Sequence, residues 1–173
     1  MSDPGWVETW KAHTSAFDRV RSIVMTTDAP RSAGWIADRA AVAETTARDH
    51  LERLSEMGVV RATDSDGTRV YAPDPAYVRF REIRELVRDH EPEELADFTV
   101  DVKEEIETIR DSYGADSPTE LRERAAAANT GVDEARELLR AASDVAHFRY
   151  RVSLLEDAIS RYDEYRSGNP AVA

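Results

Sequence analysis

The chain has 173 residues, a formal net charge of −12 and no cysteine. This length allows one compact domain with an extension or two small domains, and the absence of cysteine excludes disulfides, thiolate zinc sites and thiol catalysis. The sequence contains no run of about 18 apolar residues that could span a membrane. It also lacks the basic N-terminal region of a signal peptide, so we expect a cytoplasmic protein.

Arginine supplies almost all of the positive charge: Lys11 and Lys103 are the only lysines among 23 basic residues, against 35 acidic ones. Because surface carboxylates hold water and counter-ions, this composition favours a protein that works in strong salt, and we interpret it as haloarchaeal. An ordinary acidic mesophilic protein is the alternative. A negative net charge argues against nucleic-acid binding, but molar salt shortens the Debye length to about 3 Å, so that only near contacts count.

The acidic residues are concentrated in the C-terminal half. Residues 1–75 carry nine basic and twelve acidic side chains, whereas residues 76–173 carry fourteen and twenty-three. The formal net charge is therefore −3 for residues 1–75 and −9 for residues 76–173.

An apolar stripe at alternating steps of four and three predicts one amphipathic helix near the N-terminus: Trp6, Trp10, His13, Phe17, Val20 and Val24. We expect His13 to be a hydrogen-bonded core or interface residue. Ser32 is placed to cap a short helix through Ala40, and a second helix is predicted from about Ala43 to Met57. Gly58 follows where a left-handed residue is needed.

Two short strand-like runs come next, Val59–Thr63 and Thr68–Ala72. The sequence "DSDG" between them predicts the turn of a β-hairpin. Asp74 and Pro75 then cap and open a helix that continues to about residue 90. On one face of this helix the arginines at 81, 84 and 88 either meet phosphates or pair with neighbouring acids.

Pro92 interrupts the chain, and the remainder is predicted to be helical, with helices from Glu93 to Gly114, from Ser117 to about Ala128, and from about Thr130 to Arg166. The last helix has a heptad-like seam, formed by Ala135, Leu138, Ala142, Val145, Val152, Ile159 and Tyr162. At a rise of 1.5 Å per residue it would be about 50 Å long. We expect it either to span the whole protein or to pair with a copy of itself.

Helix, turn, helix and hairpin, in that order, are the elements of a winged helix-turn-helix. The apolar positions have the spacing that this motif needs: Ile36, Ala37, Ala40, Val42, Ala47, Leu51 and Leu54. With those positions inside, the opposite face of the second helix is free to enter a DNA major groove.

Residues 32–73 resemble the winged helix-turn-helix of archaeal and bacterial repressors of the arsenical-resistance-repressor and related classes. The sequence from "IADRAAV" through "TARDHLERLSEMGVV" to "TRVYAP" is similar to the haloarchaeal branch of these regulators. The stretch that follows, "YVRFREIRELVRDHEPEEL", resembles the segment after their wing. The cysteine-bearing metal box of metal-sensing members is absent, which excludes metal sensing by that route.

The resemblance implies roles by position. Thr45, Thr46 and Arg48 fall where family members contact bases or phosphates, Arg53 lies near the backbone side, and Thr68 and Arg69 fall at the hairpin tip that reaches the minor groove or flanking phosphates. The complete set of candidate DNA-binding residues is Ser32, Glu44, Thr45, Thr46, Arg48, Arg53, Thr68 and Arg69. Glu44 is included because a carboxylate can accept a hydrogen bond from a cytosine amino group.

Each of these residues also has an interpretation without DNA. Thr45 and Thr46 can be ordinary surface residues, and Arg48 can pair with Glu44 or Glu52 four residues away. The four histidines have no metal-ligand spacing, and no nucleophile with a base, phosphate loop or carboxylate pair can be placed.

We therefore predict a mainly helical protein with a winged helix-turn-helix DNA-binding domain at 1–75 and a helical extension at 76–173 that forms a homodimer. Its predicted function is sequence-specific binding of double-stranded DNA for transcriptional control, without enzymatic activity, cofactor or metal. The first helix, with Trp6 and Trp10, and the last helix are the predicted dimer surfaces. The alternative is a winged-helix module that binds another protein.

Overall fold

The structure is a computed structural model that describes Thr9 and residues 12–167. It is mainly helical, with one small three-stranded antiparallel sheet. The chain divides into two compact units, Met1–Phe80 and Arg81–Ala173, so the division falls a few residues after the predicted one at 75. Among the described residues, none of the helices combines the length and the apolar composition needed to cross a bilayer.

The first helix that lies wholly within the described residues is α1, Ala16–Met25. Ser15 caps it, since its Oγ accepts a hydrogen bond from the backbone N–H of Asp18 at 3.1 Å. The prediction of one uninterrupted helix from residue 6 to 24 is wrong, because the backbone leaves the helix at Thr14 and Ser15. His13, expected to be a core or interface residue, is exposed in the single chain and so lies outside the core. Trp6 and Trp10 lie outside the described residues.

Helices α2, Ala33–Ala40, and α3, Glu44–Glu56, follow as predicted and are joined by a three-residue turn. Ser32 caps α2 by accepting from the N–H of Trp35 at 3.3 Å. The turn opens with Ala41 in the left-handed region at a φ of 52°. Gly58, with a φ of 70°, is left-handed as predicted.

A buried arginine that the sequence did not single out ties α1 to the end of α2. The Nε of Arg19 donates to the carbonyl of Ala40 at 2.9 Å, which satisfies one of the free carbonyls at that helix end. The core of this unit lies between α1, α2, α3 and the sheet, and it contains Val20, Val24, Ala33, Ile36, Ala37, Ala40, Ala47, Leu51, Leu54, Val59, Val60 and Tyr71. Val42, in the turn, is partly buried against it.

The sheet consists of β1, Arg31–Ser32, β2, Val60–Ser65, and β3, Thr68–Pro73, in the order β1-β3-β2. The predicted hairpin is present, with a two-residue turn at Asp66 and Gly67, whose φ values are 49° and 77°. Positive φ at both turn residues is typical of a two-residue Asp-Gly hairpin turn, whose twist matches that of the flanking strands. Strand β1 was not predicted, because two residues are too few to show an alternating pattern.

The remaining helices are α4, Pro75–Asp89, α5, Pro92–Tyr113, α6, Pro118–Ala125, α7, Val132–Ser160, and α8, Tyr162–Ser167. The predicted last helix is interrupted at Arg161, and the hydroxyl of Tyr162 donates to the carbonyl of His90 at 3.0 Å. In the second unit α7 packs against both α5 and α6. Much of its predicted seam is therefore covered by the same chain: Leu138, Ala142, Val145 and Tyr162 are buried.

Candidate functional site

Five of the eight predicted DNA-binding residues meet around one open groove in the first unit. The groove has a volume of about 270 Å³, and its lining is Ser32, Ala33, Glu44, Arg48, Gly67, Thr68, Arg69 and Tyr71. The beginnings of α2 and α3 supply one side, and the hairpin tip supplies the other. Pairing of β1 with β3 holds them together, since Ser32 lies opposite Val70 in the sheet.

An ion pair lies on the α3 side of the groove. Arg48 Nη2 donates to Glu44 Oε1 at 2.6 Å, and the two side chains are 54% and 55% exposed. Of the two partners that the sequence left open for Arg48, the structure therefore pairs it with Glu44. The pair lies where water and a ligand can both reach it.

The second oxygen of the Glu44 carboxylate rests against the first turn of α2. A methyl group placed on Gly34 would lie 3.4 Å from Glu44 Oε2, which is van der Waals contact. The beginning of a helix carries partial positive charge, so this is a favourable position for a carboxylate. Glu44 thus occupies part of the groove that an incoming anion would otherwise reach.

The hairpin tip contributes two exposed polar side chains, Thr68 and Arg69. Thr68 pairs with Ser65 across the two-residue turn, and Arg69 pairs with Asp64 in the ladder. No ion pair of Arg69 occurs within the described part of the chain. Its guanidinium group is therefore available to a ligand in the groove.

Tyr71 forms part of the groove wall and is otherwise buried in the core, with 1% of its surface exposed. Burial raises the pKa of its phenol above the ordinary 10.0, against the opposing charge of Arg69 and with support from Glu52. A phenol with the ordinary pKa is already neutral at physiological pH, so the raised pKa leaves its O–H donor in place.

The other three predicted residues do not line the groove. Thr45 is exposed and Thr46 is partly buried on the surface of α3. The guanidinium carbon of Arg53 lies 5.7 Å from the centre of the Phe17 ring, so this side chain faces α1. The structure thus separates Arg53 from the groove.

The sequence model of a protein family of unknown function matches residues 14–164. The chain belongs to this family, DUF7342. The match includes every residue that lines the groove and most of the second unit. No curated protein matches the chain.

Sequence reasoning missed one group of side chains beside the groove. Arg31, Trp35 and Arg39 contact one another through the indole ring of Trp35. Their regular spacing of four residues is a signal that could have identified them.

Two arginines of α4 are engaged with acids. Arg81 pairs with Glu85 at 3.1 Å, and Arg88 pairs with Asp89 at 2.7 Å. The hydrogen bond from Arg88 holds the pKa of the Asp89 carboxyl below its ordinary value. The sequence left two interpretations open for these arginines, contact with phosphates or pairing with neighbouring acids, and the structure shows Arg81 and Arg88 paired with acids.

Within the described residues, no three histidine or acidic side chains come together as metal ligands would.

Proposed function

We propose that this chain is a sequence-specific double-stranded DNA-binding regulator of transcription from a halophilic archaeon. In this proposal the first unit is a winged helix-turn-helix, with α2 and α3 as its two helices and the β2–β3 hairpin as its wing. It acts in the cytoplasm as a homodimer and has no catalytic activity or cofactor.

The groove is the observation that carries this proposal. It combines the start of α3, which would enter the major groove, with a hairpin tip that would reach the adjacent backbone or minor groove. Thr68, Arg69, Arg48 and Glu44 supply donors and an acceptor of the types that read bases and phosphates. A duplex that contacts the start of α3 and the hairpin tip at the same time would use all four side chains.

The charge distribution is compatible with a polyanionic ligand. Residues 1–80 carry ten basic and twelve acidic side chains, whereas residues 81–173 carry thirteen and twenty-three. The unit that holds the groove is therefore nearly balanced. In molar salt the charges of the other unit are screened beyond about 3 Å.

A homodimer follows from the small number of contacts that one groove provides. A single module of this size buries roughly 600–1,000 Å² on DNA, and tight specific binding generally needs more. Two copies would read two half-sites about one helical turn apart. Light scattering in molar KCl measures this directly, and a monomer at micromolar concentration would contradict the dimer.

The test is selection of binding sequences from fragmented haloarchaeal DNA in molar KCl, followed by affinity measurements with Arg48→Ala and Arg69→Ala. We expect a selected motif and at least a tenfold loss of affinity for each variant, because each arginine would lose a charge-assisted contact. Arg136→Ala is the matched control, since Arg136 is also exposed and pairs within its own helix, with Asp133 at 2.9 Å.

Two results would contradict the proposal: no sequence preference in the selection, or binding by both groove variants that equals wild type. The alternative, a winged-helix module for protein binding, predicts a stoichiometric protein partner that co-purifies after nuclease treatment while DNA binding is absent.

A further inference from the structure

Beside the groove, two arginines share one indole ring. The guanidinium carbon of Arg39 lies 3.5 Å from the centre of the Trp35 ring, and that of Arg31 lies 4.7 Å from it. Both distances are well within the range of a cation–π contact. We refer to Arg31, Trp35 and Arg39 as the arginine–tryptophan cluster.

The cluster adjoins the groove through Ser32, although none of its three side chains lines the groove. Trp35 lies in the first turn of α2, and its backbone N–H donates to the Oγ of Ser32, which lines the groove. The Trp35 side chain is also packed against the core of the first unit. The indole is therefore a fixed platform, and it holds two cations next to the candidate DNA site.

The two cations are weakly engaged with acids. Arg39 has no ion pair within the described residues. Arg31 reaches Asp28 at 3.4 Å, but that carboxylate is 92% exposed, so water competes for it. The Nε of Arg31 is buried and has no hydrogen-bond partner among the described residues.

Stacking against the indole restricts the two guanidinium groups before any ligand arrives. A side chain that is already ordered loses less entropy on binding. The planar fork of donors on arginine also matches the oxygens of a phosphate group. The cluster thus resembles a prepared anion-binding surface more than a pair of free surface arginines.

We propose that the arginine–tryptophan cluster binds the phosphodiester backbone of duplex DNA on the flank of the groove. This inference rests on the proposed function and assigns it a second contact region. Phosphates fit the cluster better than stacked bases, because Arg39 already covers the ring of Trp35 on which a base would have to stack.

The test compares wild type with Arg31→Ala, Arg39→Ala and the double variant on the selected duplex and on an unrelated duplex across a series of KCl concentrations. Each phosphate contact contributes about 0.9 to the slope of log K against log salt. We expect the double variant to lose roughly 1.8 from that slope and to weaken on both duplexes equally. The ratio of the two affinities should stay unchanged.

Arg122→Ala is the matched control, because Arg122 is an exposed arginine in the last turn of another eight-residue helix, as Arg39 is in α2. Arg39→Lys covers the case in which an alanine variant unfolds. It keeps the charge but loses the fork, so we expect an unchanged slope and an affinity several times weaker. Circular dichroism establishes that each variant is folded.

The outcomes separate this inference from the proposed function. If wild type binds its selected duplex and the folded double variant keeps both slope and affinity, the cluster inference is wrong and the proposed function stands. A changed affinity ratio with an unchanged slope would show base contact instead and would also overturn it. A stronger preference of wild type for single-stranded DNA would indicate base stacking on Trp35, with the same consequence. If wild type binds no DNA, both proposals fail.

Discussion

Replacing Glu44 by glutamine tests whether the acid on α3 limits DNA binding. The change keeps the shape of the side chain and removes its charge. In the structure the carboxylate holds Arg48 at 2.6 Å and rests against the first turn of α2. An exposed pair of this type contributes about 0.3–0.5 kcal/mol to stability, so Glu44→Gln should remain folded.

The effect on binding should be larger than the effect on stability. Two unit charges about 4 Å apart in water interact by about 1 kcal/mol, so loss of the repulsion between Glu44 and a nearby phosphate should tighten binding about fivefold. Release of Arg48 from its partner acts in the same direction. We therefore expect an unrelated duplex to bind Glu44→Gln about five times more tightly than wild type.

The selected duplex should respond differently. If Glu44 accepts a hydrogen bond from a cytosine amino group, glutamine can present a donor in the same place and discrimination at that base pair falls by about 1–3 kcal/mol. Binding to the selected duplex should then stay constant or weaken, so that the ratio of the two affinities drops at least fivefold.

Fluorescence anisotropy with both duplexes measures this ratio in 0.1 M KCl, where a Debye length of about 10 Å leaves an interaction over about 4 Å largely unscreened, with folding checked by circular dichroism. Asp49→Asn is the control, because Asp49 is an exposed acid on the same helix that does not line the groove. An unchanged ratio in Glu44→Gln, or an equal effect of Asp49→Asn, would refute the reasoning.

Three further predictions concern backbone and pH. Gly67→Ala and Gly58→Ala should each lower the free energy of unfolding by about 1–2 kcal/mol, because both residues have positive φ; in binding assays only Gly67→Ala, at the hairpin tip, should weaken DNA affinity. Ala41→Gly should raise the unfolding free energy by about 1 kcal/mol in urea titrations, since Ala41 ends α2 at a φ of 52°; Ala126→Gly, at a helix end with a φ of −85°, should give no gain. Hydrogen bonds from an arginine and a tyrosine of the last helix hold the pKa of Glu91 below its ordinary 4.5. Its stabilising contribution is therefore complete above pH 4.5 and is lost as the pH falls below it, and thermal melts of Glu91→Gln should show a smaller loss on acidification than wild type.

Features with a local signal could be predicted from the sequence. Ser32 before an apolar helix, Gly58 after one, and Asp-Gly between two strand-like runs each specify a backbone geometry within a few residues. The structure has all three. Spacing along α3 also indicated which of its residues are buried, because the helical repeat fixes which side chains share a face.

Features that depend on distant parts of the chain could not be predicted. The apolar stripe continues at helical spacing from His13 to Phe17, across Ser15. The pattern therefore gives no sign that Ser15 caps a new helix. Strand β1 is defined only by its partner β3. Whether Arg53 faces the groove or α1 depends on where Phe17 packs. Which acid Arg48 pairs with also depended on tertiary geometry, since Glu44 and Glu52 are equally distant along the helix.

The groove and the whole chain have charges of opposite sign, and this difference predicts how salt affects association. Glu44 offsets one of the two arginines in the groove, Arg48 and Arg69, which leaves a local excess of one positive charge, whereas the chain carries −12. At 0.1 M salt the Debye length of about 10 Å lets distant carboxylates repel DNA, and at 1 M it falls to about 3 Å. The association rate constant should therefore rise between these concentrations, in contrast to the fall expected for a basic protein. Stopped-flow measurements, with folding checked at each concentration, provide the test. A steady fall in the association rate would mean that the local positive charge already dominates the encounter at low salt.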